Sequence, residues 1–349
     1  MRKLIVTREN SMNIYKNMIN NPPSGPLVPY KALREEVYNK DKKSIMAVVR
    51  TDNRGEGIRE AFRMIGGLKP LSEGLKGEIL IKPNLNTDDP YPRNTHPNTI
   101  RFIAENLIEA GISAKKIVVG ETSGRARGLP THHTMINIGV KKVADDLGIN
   151  LCCFEEEEWV TVEPTLSRYW PTGIKIPKRV YEAEKIILAP VMDLHRGPLT
   201  FTLGLKLGVG ILDSVGREWL HNGPVYPEPD FLEKMVEINL AYSTDLVVMD
   251  GLKFTRERGA KINAVAEPGI IIVGGNRVAA DALAATVMKH YKANSMVDKP
   301  VLEYPTLTMS PILGLGSPFV DDMVLKTSNL TDDDSFDNVL DLIQTELCK

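Results

Sequence analysis

Charge of one sign, cysteine and long apolar runs are all scarce in this 349-residue chain, and each scarcity removes a class of function. The 43 lysines and arginines are offset by 45 aspartates and glutamates, leaving a net charge of −2, so the basic footprint that a nucleic-acid backbone requires is missing. No stretch approaches the roughly 20 apolar residues of a membrane span. The start of the chain, MRKLIVTREN, has only Leu4, Ile5 and Val6 in succession, too short a core for a secretory signal. Of the three cysteines, Cys152 and Cys153 are neighbours on an expected strand and face opposite ways, which leaves Cys348 no disulfide framework to join. A cytoplasmic location is the expectation. GxGxxG does not occur at the first βα turn and there is no P-loop lysine, so the common nucleotide fingerprints are absent as well.

What the chain does have is alternation. IMAVV (45–49), EILIK (78–82), KIVVG (116–120), INLCCF (149–154), KIILA (185–189), DLVVMD (245–250) and GIIIVG (269–274) read as buried strands, and segments such as NTIRFIAENLIEAG and RVAADALAATVMKHY carry apolar residues at helical spacing. This pattern predicts an α/β fold, two-lobed, with largely parallel sheets, flanking helices and a site at the strand carboxyl ends. Residues 1–43, with the turn-rich NNPPSGPLVPY, read as an extension: a surface arm or part of a homo-oligomer interface. Residues 44–330 form the core, with a division between lobes suggested near 155–180, where EEEEWVTVEP breaks the rhythm; 331–349 end the chain as a helix.

Ligands of parallel sheets gather where strands end, because loops and helix N-termini converge there. In this chain those positions are polar and cationic: Lys82, Asn84 and His96 after the second strand, Glu121, Ser123, Arg125 and Arg127 after the third, His195 and Arg196 after KIILAP, and Asp250. Asn84, Glu121, His195 and Asp250 are expected to lie near one another. The cations Lys82, Arg125, Arg127 and Arg196 suit a small carboxylate or phosphorylated metabolite, although an edge lysine or a basic loop can equally be solvated.

The segment LHRGPLTFTLGLKLGVG (194–210) sets one lysine, Lys206, among apolar residues, with glycine at 204, 208 and 210. An interior glycine costs about 1 kcal/mol against alanine in an α-helix, so this is not the core of one. Glycine lets backbone pass close to a ligand, and Leu203, Leu205, Leu207 and Val209 should desolvate the amine and lower its pKa. His195 before it and His221 after it add proton-shuttling or metal-ligating imidazoles. The plainer alternative is that Lys206 reaches solvent or pairs with Asp213.

These landmarks in this order resemble the family called domain of unknown function 362: ILIKPNLN (79–86), THPNTIRFIAENLIEAGI (95–112), IVVGETSG (117–124), LHRGPLTFTLGLKLGVGI (194–211), REWLHNG (217–223), LVVMDG (246–251) and IIVGGNRVAADALAATVM (271–288), together spanning roughly 45 to 320. Many members add a ferredoxin-like module with CxxCxxC clusters; this chain has no such cysteines, and no iron–sulfur cluster is expected. More remotely, the order His195, Lys206, His221 is similar to that of the nickel-pincer lactate racemase family. That resemblance implies Lys206 as the tether of a nickel-pincer mononucleotide, His221 as the metal ligand and His195 as an acid/base. The pattern departs from that family around the lysine, TLGLKLGVG, and in the loop GETSGRARG. The expectation is an enzyme using lysine/histidine proton or metal-assisted chemistry, racemase- or isomerase-like, on a small anion. A non-catalytic module binding a small molecule, a divalent metal or a cofactor is the alternative.

Overall fold

A computed structural model describes residues 4–195, 200–221, 230–257, 264–293 and 296–349. The main strands are β1 (Lys43–Arg50), β2 (Ile79–Pro83), β3 (Ile117–Glu121), β4 (Asn150–Cys153), β5 (Lys185–Ala189), β6 (Leu246–Gly251), β7 (Ile270–Gly274) and β8 (Met323–Asn329). They form one central sheet in the order β1-β7-β6-β5-β2-β3-β4, with β8 and the short strand Asn39–Lys40 also pairing with β1. The fold is therefore mixed α/β with a largely parallel sheet flanked by helices.

The alternation of side chains along each strand divides the interior into two cores. Met46, Val48, Leu80, Val118, Leu188 and Met249 face one, and Ala47, Val49, Ile81, Val119, Ile187 and Val248 face the other. Cys152 and Cys153 fall on opposite sides in the same way, and all three cysteines are free thiols. On one face lie helices α2 (Arg54–Ile65), α3 (Pro97–Glu109) and α4 (Val140–Leu147); on the other lie α6 (Arg277–His290) and the terminal helix Phe336–Leu347. Their ends are set by the sequence: the Asn53 side chain accepts the Gly55 and Glu56 N–H groups at the start of α2, and Gly66, at φ 101°, ends it. Among the described residues, no helix is long and apolar enough to cross a membrane.

The sequence reading needs correction at several points. Strand β7 runs antiparallel to both β6 and β1, whereas GIIIVG is expected to be parallel. The chain returns from β6 through the antiparallel pair Phe254–Thr255 and Val265–Ala266, with no crossover helix among the described residues, and a parallel return needs one. The tract 155–180 does not divide the sheet, because β4 before it and β5 after it belong to the same one. It forms its own two-stranded sheet, Trp159–Val162 with Ile174–Pro177. The N-terminal extension is not only a surface arm: helix α1 (Arg8–Asn20) buries Ser11 and Tyr15 against the body of the protein.

Lys206 lies on a 3-10 helix, Leu205–Ile211. The N–H groups of Gly204 and Leu205 at its start donate to Asp281 of α6, at 2.7 and 2.9 Å, and the Asn239 amide donates to the Leu205 carbonyl at 3.0 Å. A side chain at 204 would press on Asp281, which is why glycine stands there. Burial pushes the Asp281 carboxyl up to about 7, against the pull of those two N–H groups and of Arg277. Replacing it leaves two buried donors unpaired. Asp281→Ala should therefore lose on the order of 2 kcal/mol or more of stability in urea unfolding, and Asp281→Asn, which keeps one acceptor oxygen, should lose less.

Candidate functional site

The carboxyl edge of β2 and β3 carries a buried ion pair. Lys82, 2% exposed, places Nζ 2.8 Å from Glu121 Oε2 and 2.8 Å from the Pro83 carbonyl. Burial pulls the Lys82 amine down, and Glu121 opposes that pull. The Glu121 oxygens also accept the N–H groups of Leu85 (3.0 Å) and Thr122 (2.9 Å), so the carboxylate is fixed from three directions. The 3-10 helix rests on this pair at Gly210, where a Cβ would sit 2.6 Å from Lys82 Nζ and closer still to Glu121.

Two chambers meet beneath that helix. The inner one, about 40 Å³, is lined by Lys82, Asn84, Asn86, Glu121, Thr122, Thr202, Lys206, Gly210 and Arg217. The outer one, about 260 Å³, is lined by Tyr15, Asn86, Arg125, His195, Lys206, Arg217, Glu218 and His221, so Asn86, Lys206 and Arg217 face both. A larger cleft of about 580 Å³ lies beside the start of β1, where Arg34 pairs with Asp245, Lys349 with Asp322, and the buried Arg277 donates to Asn239 and to the Tyr242 carbonyl. Lys206 differs. Among the described residues its amine makes no hydrogen bond and no ion pair, and Asp213, the partner of the plainer reading, instead faces Lys175 at 3.4 Å. Burial pulls the Lys206 amine down to about 8; the Arg217 and Lys82 charges add to the fall, while Glu121 and Asp193 resist it. Asp193 is itself raised to about 6 by burial.

Helix α5 (Ser214–His221) supplies the opposite wall. Arg217, 8% exposed, donates to the carbonyls of Ser123 (2.7 Å) and Thr122 (2.6 Å), tying α5 to the loop after β3. Both acceptors are neutral, so the charge is oriented but not cancelled. One turn on, His221 Nδ1 lies 2.7 Å from the Arg217 carbonyl. A carbonyl can only accept, so Nδ1 carries the proton and Nε2 presents its lone pair in the neutral ring. Burial first, then the Lys206 and Arg125 charges, lower the His221 pKa and hold the ring neutral at pH 7. Two buried donors in this region, Thr122 Oγ1 and Arg217 Nε, have no hydrogen-bond partner among the described residues.

The structure thus brings together Lys82, Asn84, Glu121, Arg125, His195, Lys206 and His221. Ser123 touches the site through its carbonyl; its hydroxyl donates to the Leu85 carbonyl at 2.7 Å and holds the loop. Three expected residues do not line the cleft. Asp250 is fully buried and saturated by Arg54 (2.7 Å), Tyr91 (2.8 Å), Thr99 (2.5 Å) and the Leu252 N–H. His96 caps α3, its Nδ1 accepting the Asn98 N–H at 3.1 Å. Arg127, in a left-handed turn at φ 63°, pairs with Asp89 and faces Asp88. Arg196 lies outside the described residues. Sequence reasoning missed Arg217 and Tyr15. Only Arg217 had a signal, standing four positions before His221 and hence on the same helical face.

A metal held by side chains alone needs several donors, and no group of three or more His, Cys, Asp or Glu with that geometry occurs among the described residues. A metal borne by a tethered mononucleotide asks for less, an anchor and an imidazole. Lys206 and the Nε2 of His221 line one chamber and fit that smaller requirement.

The family model described as domain of unknown function (DUF362) matches residues 79–286, well over half of the chain. No curated protein matches it. Among solved structures, the lactate racemase apoprotein from Thermoanaerobacterium thermosaccharolyticum is similar at 13% identity and a TM-score of 0.42, over 66% of this chain and 56% of that one. The chain therefore spans little more than half the length of that protein, and a likeness at this level assigns nothing to the residues of the cleft.

The Lys206 amine should titrate near pH 8 when followed by NMR of labelled lysine. Its pKa is about 8 folded against 10.5 ordinarily, so between these values the unfolded chain binds more protons and stability should rise with pH. Lys206→Met removes that contribution. Its stability gain over the native chain should be largest below about pH 8 and shrink toward pH 10.5, as urea unfolding across that range will show.

Proposed function

The chain belongs to the DUF362 family, and on that footing we propose that it binds a small anionic metabolite in the Lys206 cleft and moves a proton on it. The observation that carries this reading is the charge balance of the cleft. Glu121 answers Lys82 and Glu218 answers Arg125 at 3.2 Å, while Arg217 is bonded to carbonyls and Lys206 to nothing among the described residues. A buried donor without a partner costs about 1–3 kcal/mol; a carboxylate or phosphoryl oxygen near Arg217 and Thr122 relieves that cost and meets the excess charge.

The same groups suit acid/base work. With a pKa of about 8, roughly one Lys206 amine in ten is neutral at pH 7, and that fraction can accept a proton while the remainder donates one. His221 offers Nε2 as a base, and His195 lines the same wall. A proton leaving carbon next to the anionic head leaves its electron pair delocalised into that head, where Arg217 opposes the growing negative charge. Returning the proton completes an isomerisation or racemisation. If a nickel-pincer mononucleotide is bound, Lys206 and His221 are the residues to hold it, the group supplies a Lewis-acidic electron sink, and His195 remains as the acid/base.

Protein as purified, incubated in D2O with a panel of 2-hydroxy and 2-amino carboxylates and their phosphorylated relatives, should incorporate deuterium next to the carboxylate of at least one, read by proton NMR. His195→Gln should slow that exchange by about 100-fold or more. Lys206→Met should weaken binding of the same compound by about 1.5–3 kcal/mol, the worth of a charge-assisted bond. Binding without exchange would make the protein a binding module, and no binding by any of the panel would remove the reading altogether.

A further inference from the structure

One wall of the outer chamber comes from far outside the segment that matches the family model. Helix α1 reaches across the loop after β3. The Ser11 hydroxyl donates to the Arg125 carbonyl and accepts the Leu129 N–H, both at 3.1 Å. One turn on, Tyr15 is 3% exposed to solvent, yet it faces Lys206, Arg217 and His221 across the chamber. Its hydroxyl donates to the Ser214 carbonyl at 3.3 Å, long for an O–H···O bond, whose usual length is about 2.7–2.8 Å. Burial, then the Glu218 carboxylate through its charge and as an acceptor for the phenol, raise the Tyr15 pKa, so the phenol keeps its proton and remains a donor. The phenol thus stands between Glu218, which Arg125 pairs at 3.2 Å, and the Lys206 and Arg217 charges, neither of which has a carboxylate at ion-pair distance among the described residues.

We propose that Tyr15 is a ligand-binding residue of the Lys206 cleft: its ring closes the outer chamber and its hydroxyl leaves the Ser214 carbonyl to donate to the bound anion. The inference rests on the anion-binding reading for the hydroxyl, but not for the ring. With Tyr15 in place, the chamber is bounded on that side by the N-terminal arm, and the size of ligand it admits is set there as well as by the family segment.

Two measurements on the full chain separate these parts. Calorimetry at pH 7 with inorganic phosphate and with acetate compares the native protein with Tyr15→Phe, which keeps the ring. Dissociation constants about tenfold or more higher, at unchanged melting temperature, support the hydroxyl's role, and equal constants overturn it. If neither probe binds the native chain, the anion reading fails and the hydroxyl's role with it. The ring is tested without any ligand, through the rate of Lys206 acetylation by acetic anhydride, followed by peptide mass spectrometry. Tyr15→Ala should raise that rate several-fold, and an unchanged rate overturns the wall. Should Tyr15→Ala fail to give a native near-UV spectrum, Ser11→Ala takes its place, since it frees α1 from the Arg125 and Leu129 backbone while sparing the ring.

Discussion

The buried pair of Lys82 and Glu121 governs the chemistry of this edge of the sheet. A lysine this deeply enclosed needs a close counter-charge, since removing a charge from water costs several kcal/mol even after the protein relaxes. Glu121 supplies it at 2.8 Å and is held in place by two backbone N–H groups. The pairing leaves Glu121 committed to Lys82. Arg217 and Lys206 then stand against the same pocket with no carboxylate of their own, and the mutual repulsion of these cations is part of what brings the Lys206 amine near neutrality. Gly210 is the contact through which the pair supports the lysine-bearing helix, so electrostatics and backbone packing meet at one residue.

Asp250 shows what a strand-end carboxylate becomes when its surroundings differ. It lies at the carboxyl end of β6, one residue from its close, much as Glu121 closes β3, but a guanidinium, a phenol and a hydroxyl surround it, and Leu252 adds a backbone donor. Nothing is left over for a ligand. This knot fastens α2 and α3 to the sheet, while the chemically open region is confined to the ends of β2 and β3. The edge is thereby divided into a structural half and a reactive half.

The strands were legible because both faces of the sheet are covered, which makes them apolar runs such as the ILI before Lys82 or the IVV before Gly120 and Glu121. Lys206 was legible for the same reason, as a lone cation among glycines and leucines. The direction of β7 was not, because an apolar run reads the same either way and only the connection before it decides. Nor did the sequence separate Asp250 from Glu121: both follow apolar strands, and what distinguishes them is contributed by Arg54, Tyr91 and Thr99 from elsewhere. The roles of Asp281 and Tyr15 depend on contacts between segments far apart in the chain, which single-segment patterns do not encode. Glycine at 204 and 210 was visible, but the reason for it, close approach to Asp281 and to the Lys82 pair, is tertiary.

The pairing of β1 bears on how the chain must be made. Apart from the two-residue strand just before it, its neighbours in the sheet are β7, Ile270–Gly274, and β8, Met323–Asn329, both more than two hundred residues further along. During synthesis the strand KSIMAVVR has only the local pair with Asn39–Lys40, at its first two residues, until residues 270–274 and 323–329 follow. An apolar strand with open edges is a template for association with other chains, and contacts so distant in sequence form slowly. Completion of the sheet thus waits on residues 323–329, and a nascent chain stalled before residue 323 would carry one edge of β1 open.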